Sequence, residues 1–549
     1  MWACARCQQA RSFPPGAPIP VLAEARVTTD FDTIVIGSGF GGAVCAARLA
    51  AANYRVLVLE RGRRWEPETY PRNLDGDWIW DQDHPDRQHG WFDFRVFPNM
   101  AVVQGAGVGG GSLVYANISI NAKCGSFQKG WPPEITYDEL LPYYERVGAI
   151  LDVQKVPYEQ WPQRTHLVKE AARKKGWGHR FEPLDLAVTF DPDWRYDLPD
   201  AHNPSHSKTF TNAHQRKQGT CVHLGNCDIG CDVKAKNTLD VNYLAIAEDH
   251  HADIRPLHLV RHIAPEGDGY RVSFERIQNE QLIAGSATAR VVVLGAGSLG
   301  STELLLRSRD VAKTLPNVSP FLGRNWSSNG DFLTPAIYPF RDPPVDPTRG
   351  PTITAAINFL DGDGHGNEFF IEDGGFPGLG GQLLERLAGR ASADARQRAV
   401  YETARALRRL NLLDQIMPWF SQGRDAANGI LSLKSGRLAL QWDVLQSQKT
   451  IDAIVRTHEE LARATGGWPI VPLPWLLFRD LITPHPLGGA NMGRTAADGV
   501  VDHRGEVFGY RNLFVADGAI VPEAIGLNPS KTIAALAERI VAFIINDAR

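Results

Sequence analysis

The sequence predicts an α/β fold: a Rossmann-like nucleotide-binding domain with a discontinuous second domain built on an antiparallel sheet with helices. Three observations carry that prediction. Residues 31–62 read as strand, glycine turn, helix and strand; a similar strand, glycine turn and helix recurs at 289–308; and the region from about 332 to 479 holds alternating apolar runs of strand character.

In the first unit Thr33 to Ile36 is apolar and β-branched, Gly37-Ser38-Gly39-Phe40-Gly41-Gly42 follows, Ala43 to Ala52 is helix-forming, and Val56 to Leu59 is apolar again. Gly37 permits the turn, Gly39 lets a pyrophosphate approach the backbone, and Gly42 lets helix pack on strand, while free N–H groups at the helix start attract phosphate charge. Glu60 ends the second strand, where a carboxylate accepts hydrogen bonds from an adenosine ribose. A GxGxxG alone is a weak signal. The strand before it, the helix after it and the acid in register make it a dinucleotide site.

A chain of 549 residues can bury a large core, and its length suggests roughly two to four domains. A formal charge of −4, with 22% charged and 43% apolar residues and no long single-sign block, gives nothing to attract nucleic acid. No apolar run reaches the roughly 18 residues needed for a transmembrane segment. Residues 1–29 carry Pro14, Pro15, Pro18 and Pro20 without a basic start or an uninterrupted apolar core, so they read as a loosely ordered arm, and a cytoplasmic location is expected. The odd count of seven cysteines argues against a disulfide framework. Cys4 and Cys7 form a CxxC in the arm, but no second pair completes a zinc site.

Past Glu60, the Trp-, Asp- and Pro-rich span from Trp65 to Trp91 suits a loop-bearing excursion over the cofactor. Gln104 to Asn117 then packs five glycines together, among them Gly105, Gly109 and Gly110, followed by Ser112. Such a backbone lies flat against a planar or anionic ligand where a Cβ would collide. Val108, Leu113 and Val114 are interleaved and call for burial, which a flexible linker would not supply.

The two glycine-rich stretches together resemble the glucose-methanol-choline (GMC) family of flavoprotein oxidoreductases, and GVGGGSLV resembles its cholesterol-oxidase branch. The resemblance runs from Phe31 to Ala542 and omits the arm. It implies FAD, with Gly37, Gly39, Phe40, Gly41 and Gly42 on the pyrophosphate, and Gly105, Gly109, Gly110, Ser112 and Asn117 along the ribityl chain and isoalloxazine. Noncovalent binding is expected because no His stands beside the second stretch, a covalent link being the alternative. It also implies that Val260 meets the adenine through its backbone and that the turn at Gly295 closes the FAD domain. Gly295-Ala296-Gly297 lacks an acid or Arg in register for a second nucleotide. The implied FAD-binding domain is discontinuous, at 30–62, 95–130, 207–330 and 480–549. A substrate-binding domain with lid loops takes 63–94, 131–206 and 331–479.

Trp131 to Leu151 reads as a helix entered from a Pro turn, with Leu140, Leu141, Tyr144, Val147 and Leu151 at helical spacing. Cys221, Cys227 and Cys231 place three thiols within eleven residues among glycines, suited to one metal centre. Their spacing resembles that of the three-iron cluster in FAD-dependent glucose dehydrogenases. Leu224 stands where relatives often carry a fourth Cys. The alternative is a structural loop whose cysteines act as small buried hydrophobes.

Substrate choice belongs to about 332–479. Strands are expected around Thr352 to Leu360, Phe369 to Ile371 and Ile430 to Trp442, and amphipathic helices at Arg396 to Ile416 and Ile451 to Thr465. The apolar Gly466 to Phe478 lines a lipophilic pocket, docks peripherally on a membrane, or is an ordinary buried loop.

His485 stands between two prolines, which fix the backbone and present the ring in one direction. The surrounding residues resemble the family's HPLGG, with Ala490 where Cys is common. Asp517 and Gly518 resemble the end of the final strand that contacts the flavin. Gly526-Leu527-Asn528-Pro529 opens a helix from Thr532 to Ile544, whose N-terminal partial charge points at the flavin's pyrimidine edge. Resemblance makes Asn528 the polar partner across from His485, and Glu372 a candidate for the buried carboxylate with which cholesterol oxidases move a proton on the steroid ring. A solvated loop carboxylate is the alternative for Glu372.

The expected function is FAD-dependent oxidation of a hydroxyl on a bulky apolar, sterol-like alcohol, with oxygen or another electron acceptor. Imidazole titrates near neutrality and suits the hydroxyl proton, an amide can hold the oxygen, and flavin takes the hydride. One alternative is an alcohol dehydrogenase passing electrons from FAD through a cysteine-bound iron–sulfur cluster to an external acceptor. Another is a non-catalytic FAD-bound scaffold, which would need neither His485 nor Asn528.

Overall fold

The computed structural model describes residues 29–73, 75–127, 130–379 and 412–547. The expected arm with Cys4 and Cys7, and most of the helix expected from Arg396, lie outside the described residues.

Strand Phe31–Ile36, helix Phe40–Ala51 and strand Val56–Leu59 form as the sequence predicts. Phe31–Ile36 lies between two parallel partners, Val56–Leu59 on one side and the end of strand Gln281–Leu294 on the other. Asp253–Arg255 extends the sheet past Val56–Leu59, and Leu513–Val515 pairs parallel with Val292 to Leu294. The first half of Gln281–Leu294 instead pairs antiparallel with Gly269–Gln278, which pairs with His258–Glu266. Burial follows this division: Gln281 to Ala284 are exposed, whereas Val291 to Leu294 are buried. The buried end is the part clamped between parallel neighbours and covered on both faces, as parallel sheets require.

The helical layer is tied by one buried charge. Glu538, on helix Ser530–Asp547, accepts from Arg48 of Phe40–Ala51 at 2.7 Å and from the Tyr243 hydroxyl at 2.8 Å. Arg146 of helix Tyr137–Ile150 adds a 3.3 Å contact. Four segments distant in sequence therefore converge on one carboxylate, and its buried charge is compensated from three sides.

The second sheet has six strands, all antiparallel, in the order Trp468–Pro469, Phe332–Ile337, Ile416–Gly423, Phe369–Asp373, Ala355–Asn358 and Phe181–Pro183. The expected strands near 352–360 and 369–371 belong to it. The expected strand region Ile430 to Trp442 folds instead as a separate hairpin, Ile430–Lys434 with Arg437–Gln441. Ile416, expected to end a helix, begins a strand. Ile416–Gly423 is buried nearly throughout, so its sequence lacks the alternation that marks a half-exposed strand.

Alternation across this sheet decides which residues face the core around the parallel sheet. Phe369, Ile371, Met417, Trp419 and Ile454 share one core cluster, with helix Gln448–Ala464 on that face. The opposite face carries Phe370, Glu372, Phe420 and Gln422, since Glu372 pairs with Phe420 and Phe370 with Gln422. Phe370 and Phe420 pack into the core of the first domain.

Candidate active site

The glycine turn is built by close backbone approach. Gly37 has φ +89°, and a Cβ there would stand 2.6 Å from the Gly295 carbonyl oxygen. A Cβ on Gly42 would meet the Gly37 carbonyl at 2.0 Å, and one on Gly41 the Ala516 carbonyl at 1.8 Å. Gly39 differs: its Cβ would meet nothing nearer than 3.7 Å, although it N-caps helix Phe40–Ala51 without a side-chain cap. The helix start thus keeps free N–H groups facing a space a small group can enter.

The second glycine-rich stretch lies on the first. A Cβ on Gly110 would stand 2.5 Å from Gly39 Cα, Gly105 packs under the Gly110 carbonyl, and Ser38 Oγ accepts from the Gly109 N–H at 3.1 Å. Phe40 meets the Tyr115 ring edge-on at 5.3 Å. Ser112 Oγ donates to the Gly109 carbonyl at 2.7 Å and accepts from Leu239 N–H at 3.1 Å, so this hydroxyl closes the turn itself. Asn117, fully buried at φ +69°, has neither amide atom paired within the chain. Such an orphaned buried amide calls for an outside partner.

Glu60 accepts from Ser38 N–H at 3.0 Å, Ser38 Oγ at 2.7 Å and Gly62 N–H at 2.9 Å. Its Oε1 keeps one acceptor site for a further donor. Backbone bonds from Leu257 to Gly62 and from His258 to Glu60 bring strand His258–Glu266, with Val260, beside it. Asp517 accepts from Gly297 N–H, Ser301 Oγ and Ala519 N–H at 2.8, 2.5 and 2.9 Å. Burial raises its pKa against these bonds. The Gly518 carbonyl accepts from Gly488 N–H at 2.9 Å, fastening the HPLGG loop to the end of the sheet.

Leu481–Thr483 runs parallel to Met100–Gly105, and Pro484 and Pro486 then direct His485. Its Nδ1 lies 2.9 and 3.0 Å from the two carboxylate oxygens of Asp331, and its backbone N–H donates to Thr483 Oγ1 at 2.9 Å. Asp331 is fully buried; burial pushes its pKa up, while the neighbouring His485 and Thr483 oppose that rise. The Phe420 ring lies 6.2 Å from the imidazole.

Asn528 is held by its loop. Asn329 accepts from Ile525 and Gly526 N–H at 3.1 and 2.9 Å and donates to the Leu527 carbonyl at 2.9 Å. Asn528 itself is 5% exposed, and its Oδ1 has no partner within the chain. Glu372 is no solvated loop carboxylate, because it sits within strand Phe369–Asp373 and is fully buried. Gln422 donates to its Oε2 at 2.8 Å, and Oε1 is unpaired within the chain. Burial drives its pKa well above the ordinary range; Gln422 and Asn528 oppose this, while the charges of Asp373 and Asp331 add to it. Asn528 and Glu372 are therefore neighbours, and the Phe420 side chain that pairs with Glu372 also faces His485.

The sequence reading missed Asp331, Thr483, Asn329 and Gln422 as site residues. Thr-Pro-His carries a weak signal for Thr483, a hydroxyl poised to take a local N–H. Nothing local marks the other three.

The iron–sulfur reading of Cys221, Cys227 and Cys231 is corrected: among the described residues no three His, Cys, Asp or Glu side chains form a group able to hold a metal ion. Cys221 Sγ accepts from His223 N–H and Cys231 Sγ from Ala235 N–H, as small buried or half-buried side chains within a structural loop. The loop instead braces the second glycine-rich stretch, because buried Lys236, its pKa lowered to about 8 by burial, donates to the Cys227 and Leu113 carbonyls at 2.7 and 3.1 Å.

Three features fit a flavin dinucleotide: the open cradle at Gly39, the uncapped helix start, and the unpaired Asn117 amide. Among the described residues no helix is long and apolar enough to cross a membrane.

Comparison with known proteins agrees with this geometry. Residues 477–537 match the GMC oxidoreductase family model, and residues 35–79 match the NAD(P)-binding Rossmann-like domain. A cholesterol oxidase from Mycobacterium tuberculosis is 31% identical, covering 93% of this chain and 90% of its own length. One from Acinetobacter baumannii is 29% identical, covering 94% of both chains. The solved structure of a fungal aryl-alcohol oxidase, 15% identical, superposes with a TM-score of 0.60 over 95% of this chain and all of its own, which speaks to the fold.

Proposed function

Because the chain belongs to the GMC oxidoreductase family, as a cholesterol-oxidase-like member, we propose that it oxidises the hydroxyl of a bulky apolar, sterol-like alcohol through His485 and Asn528. At the coarser level it is an FAD-dependent alcohol oxidoreductase. Gly37, Gly39, Phe40, Gly41 and Gly42, with Glu60, Val260, Gly295 and Asp517–Gly518, would frame the cofactor. Gly105 to Asn117 would lie along it. Bound flavin supplies the two-electron acceptor for the hydride of the carbinol carbon.

What supports the reading is the meeting of three polar groups from distant parts of the chain at one apolar wall. His485 takes the hydroxyl proton. Asn528 orients the hydroxyl oxygen, on a loop whose backbone at Ile525 to Leu527 is held by Asn329. Glu372, held by Gln422 and biased by burial toward its protonated form, is the group to move a proton on the carbon skeleton. Phe420, partly exposed beside His485, gives that wall apolar surface of the kind a sterol requires.

Oxygen is the proposed acceptor, as the relatives' oxidase names suggest. No observation favours relay through Cys221, Cys227 and Cys231. Peripheral contact with a lipid surface is part of the proposal: Trp468, Leu476 and Leu477 are 58%, 52% and 64% exposed on the apolar stretch, and Phe340, 86% exposed, lies 6.0 Å from Trp468.

The test is anaerobic flavin bleaching with cholesterol, a long-chain aliphatic alcohol and glucose, followed by admission of air. Cholesterol should bleach the flavin fastest, and air should restore its colour. Bleaching by glucose alone, or persistence of the bleached form in air, would overturn the substrate or the acceptor respectively.

A further inference from the structure

We propose that Asp331 is a positioning residue that fixes His485 in the tautomer protonated on Nδ1, leaving Nε2 as the proton acceptor in the site. This deepens the proposed role of His485 and rests on it. A carboxylate only accepts hydrogen bonds, and both oxygens of Asp331 lie within 3.0 Å of Nδ1. Nδ1 is therefore the donor. A neutral imidazole carries one N–H, so Nε2 keeps its lone pair.

The surroundings hold this arrangement from three sides. Thr483 Oγ1 accepts the His485 backbone N–H at 2.9 Å and lies 2.5 Å from Asp331 Oδ2, linking ring and carboxylate through one hydroxyl. The same Oγ1 reaches the Ser328 carbonyl at 2.9 Å, anchoring it to the segment that carries Asp331. Ser327 and Ser328 are in turn held by half-buried Asp425 at 2.7 to 2.9 Å. The ionisable groups acting on Asp331 are His485, which favours its charge, and Asp425, which disfavours it; Glu372 stands across the site and feels the Asp331 charge in return. A ring held this way has its accepting nitrogen aimed before substrate arrives, and removing the analogous orienting carboxylate from a serine-hydrolase triad costs about 10⁴-fold.

The experiment uses flavin-bound protein labelled with ¹⁵N in its 16 histidines, with His485 assigned by loss of its signals in His485→Gln. At a pH where the ring is neutral, the wild type should show Nδ1–H and bare Nε2. Asp331→Asn should shift the population toward Nε2–H and slow anaerobic flavin reduction at saturating alcohol by on the order of 100-fold or more, with KM changed only a few-fold. A purely structural Asp331 would leave the tautomer unmoved. If Asp331→Asn does not retain flavin, Thr483→Val removes the shared hydroxyl and should move the tautomer in the same direction by less. Wild-type protein with Nε2–H, or variants that keep Nδ1–H, would overturn the inference. Undiminished reduction in His485→Ala would instead overturn the proposed function, leaving the tautomer measurement to judge Asp331.

Discussion

Two neighbouring glycines should fail in opposite ways when given a methyl group. At Gly39 the backbone has φ −70°, accessible to any residue, and an added Cβ would meet no protein atom within 3.7 Å. Gly39→Ala should therefore fold, losing only the few tenths of a kcal/mol that separate Ala from Gly at such caps, up to about 1 kcal/mol. Its methyl group would instead occupy the cradle before the helix start. Losing one or two charge-assisted bonds to a phosphate, about 1.5–3 kcal/mol each, weakens FAD binding by roughly 10- to 10⁴-fold. At Gly41 the added Cβ would lie 1.8 Å from the Ala516 carbonyl, forcing the helix from strand Leu513–Val515 at a cost of about 1–3 kcal/mol or more. The assay is thermal unfolding of the deflavinated proteins beside fluorescence titration with FAD. Gly39→Ala should stay within about 1 kcal/mol of the wild type in the first and fall short in the second; Gly41→Ala should be destabilised by more than that in the first. Wild-type FAD affinity in Gly39→Ala would refute the reasoning, because the space at that glycine would then have no part in holding the pyrophosphate.

His485→Ala and Asn528→Ala should each keep flavin yet slow its anaerobic reduction by on the order of 100-fold or more, read by stopped-flow bleaching. Glu538→Ala should destabilise the fold by about 3–5 kcal/mol in urea unfolding, because Arg48 and the Tyr243 hydroxyl lose a buried partner. Glu372 carries a raised pKa in the folded state, so its protonated form contributes stability that is present below the ordinary carboxylate range and lost as pH rises through the folded value. Glu372→Gln should accordingly gain thermal stability relative to the wild type as pH increases from about 4, and a difference independent of pH would contradict the burial argument. Metal analysis of the purified protein should find no stoichiometric iron per flavin, since Cys221, Cys227 and Cys231 form no ligand group.

What was legible in the sequence is what depends on local chain geometry. The turn at Gly37 to Gly42 is flanked within thirty residues by its own strand, helix and acid, so the whole unit can be read in one pass. His485 is legible for a similar reason, because prolines on either side announce a fixed ring. Strand Ile416–Gly423 was not, since a strand covered on both faces carries apolar residues without alternation and cannot be told from a buried helix end. The cysteine loop misled for a related reason: spacing can bring three sulfurs near one another along the chain, but whether they converge as one ligand group is set by the tertiary structure, and among the described residues no such group forms.

The residues that complete the site were illegible because each works through a partner far along the chain. Asp331 meets His485 across 154 positions, Asn329 holds Gly526 across 197, and Gln422 reaches Glu372 across 50. None has a composition that sets it apart from ordinary buried polar residues, and each becomes informative only once the antiparallel sheet and the C-terminal loop are brought together. The division has a physical origin. A motif names groups that act on a ligand, whereas their orientation is set by hydrogen bonds that satisfy buried polar atoms, and those can come from any segment the fold delivers. Asp331 therefore offers the sharper test of the site: His485 could be named from its neighbours in sequence, but only a carboxylate placed by the tertiary structure can decide which of its two nitrogens is free.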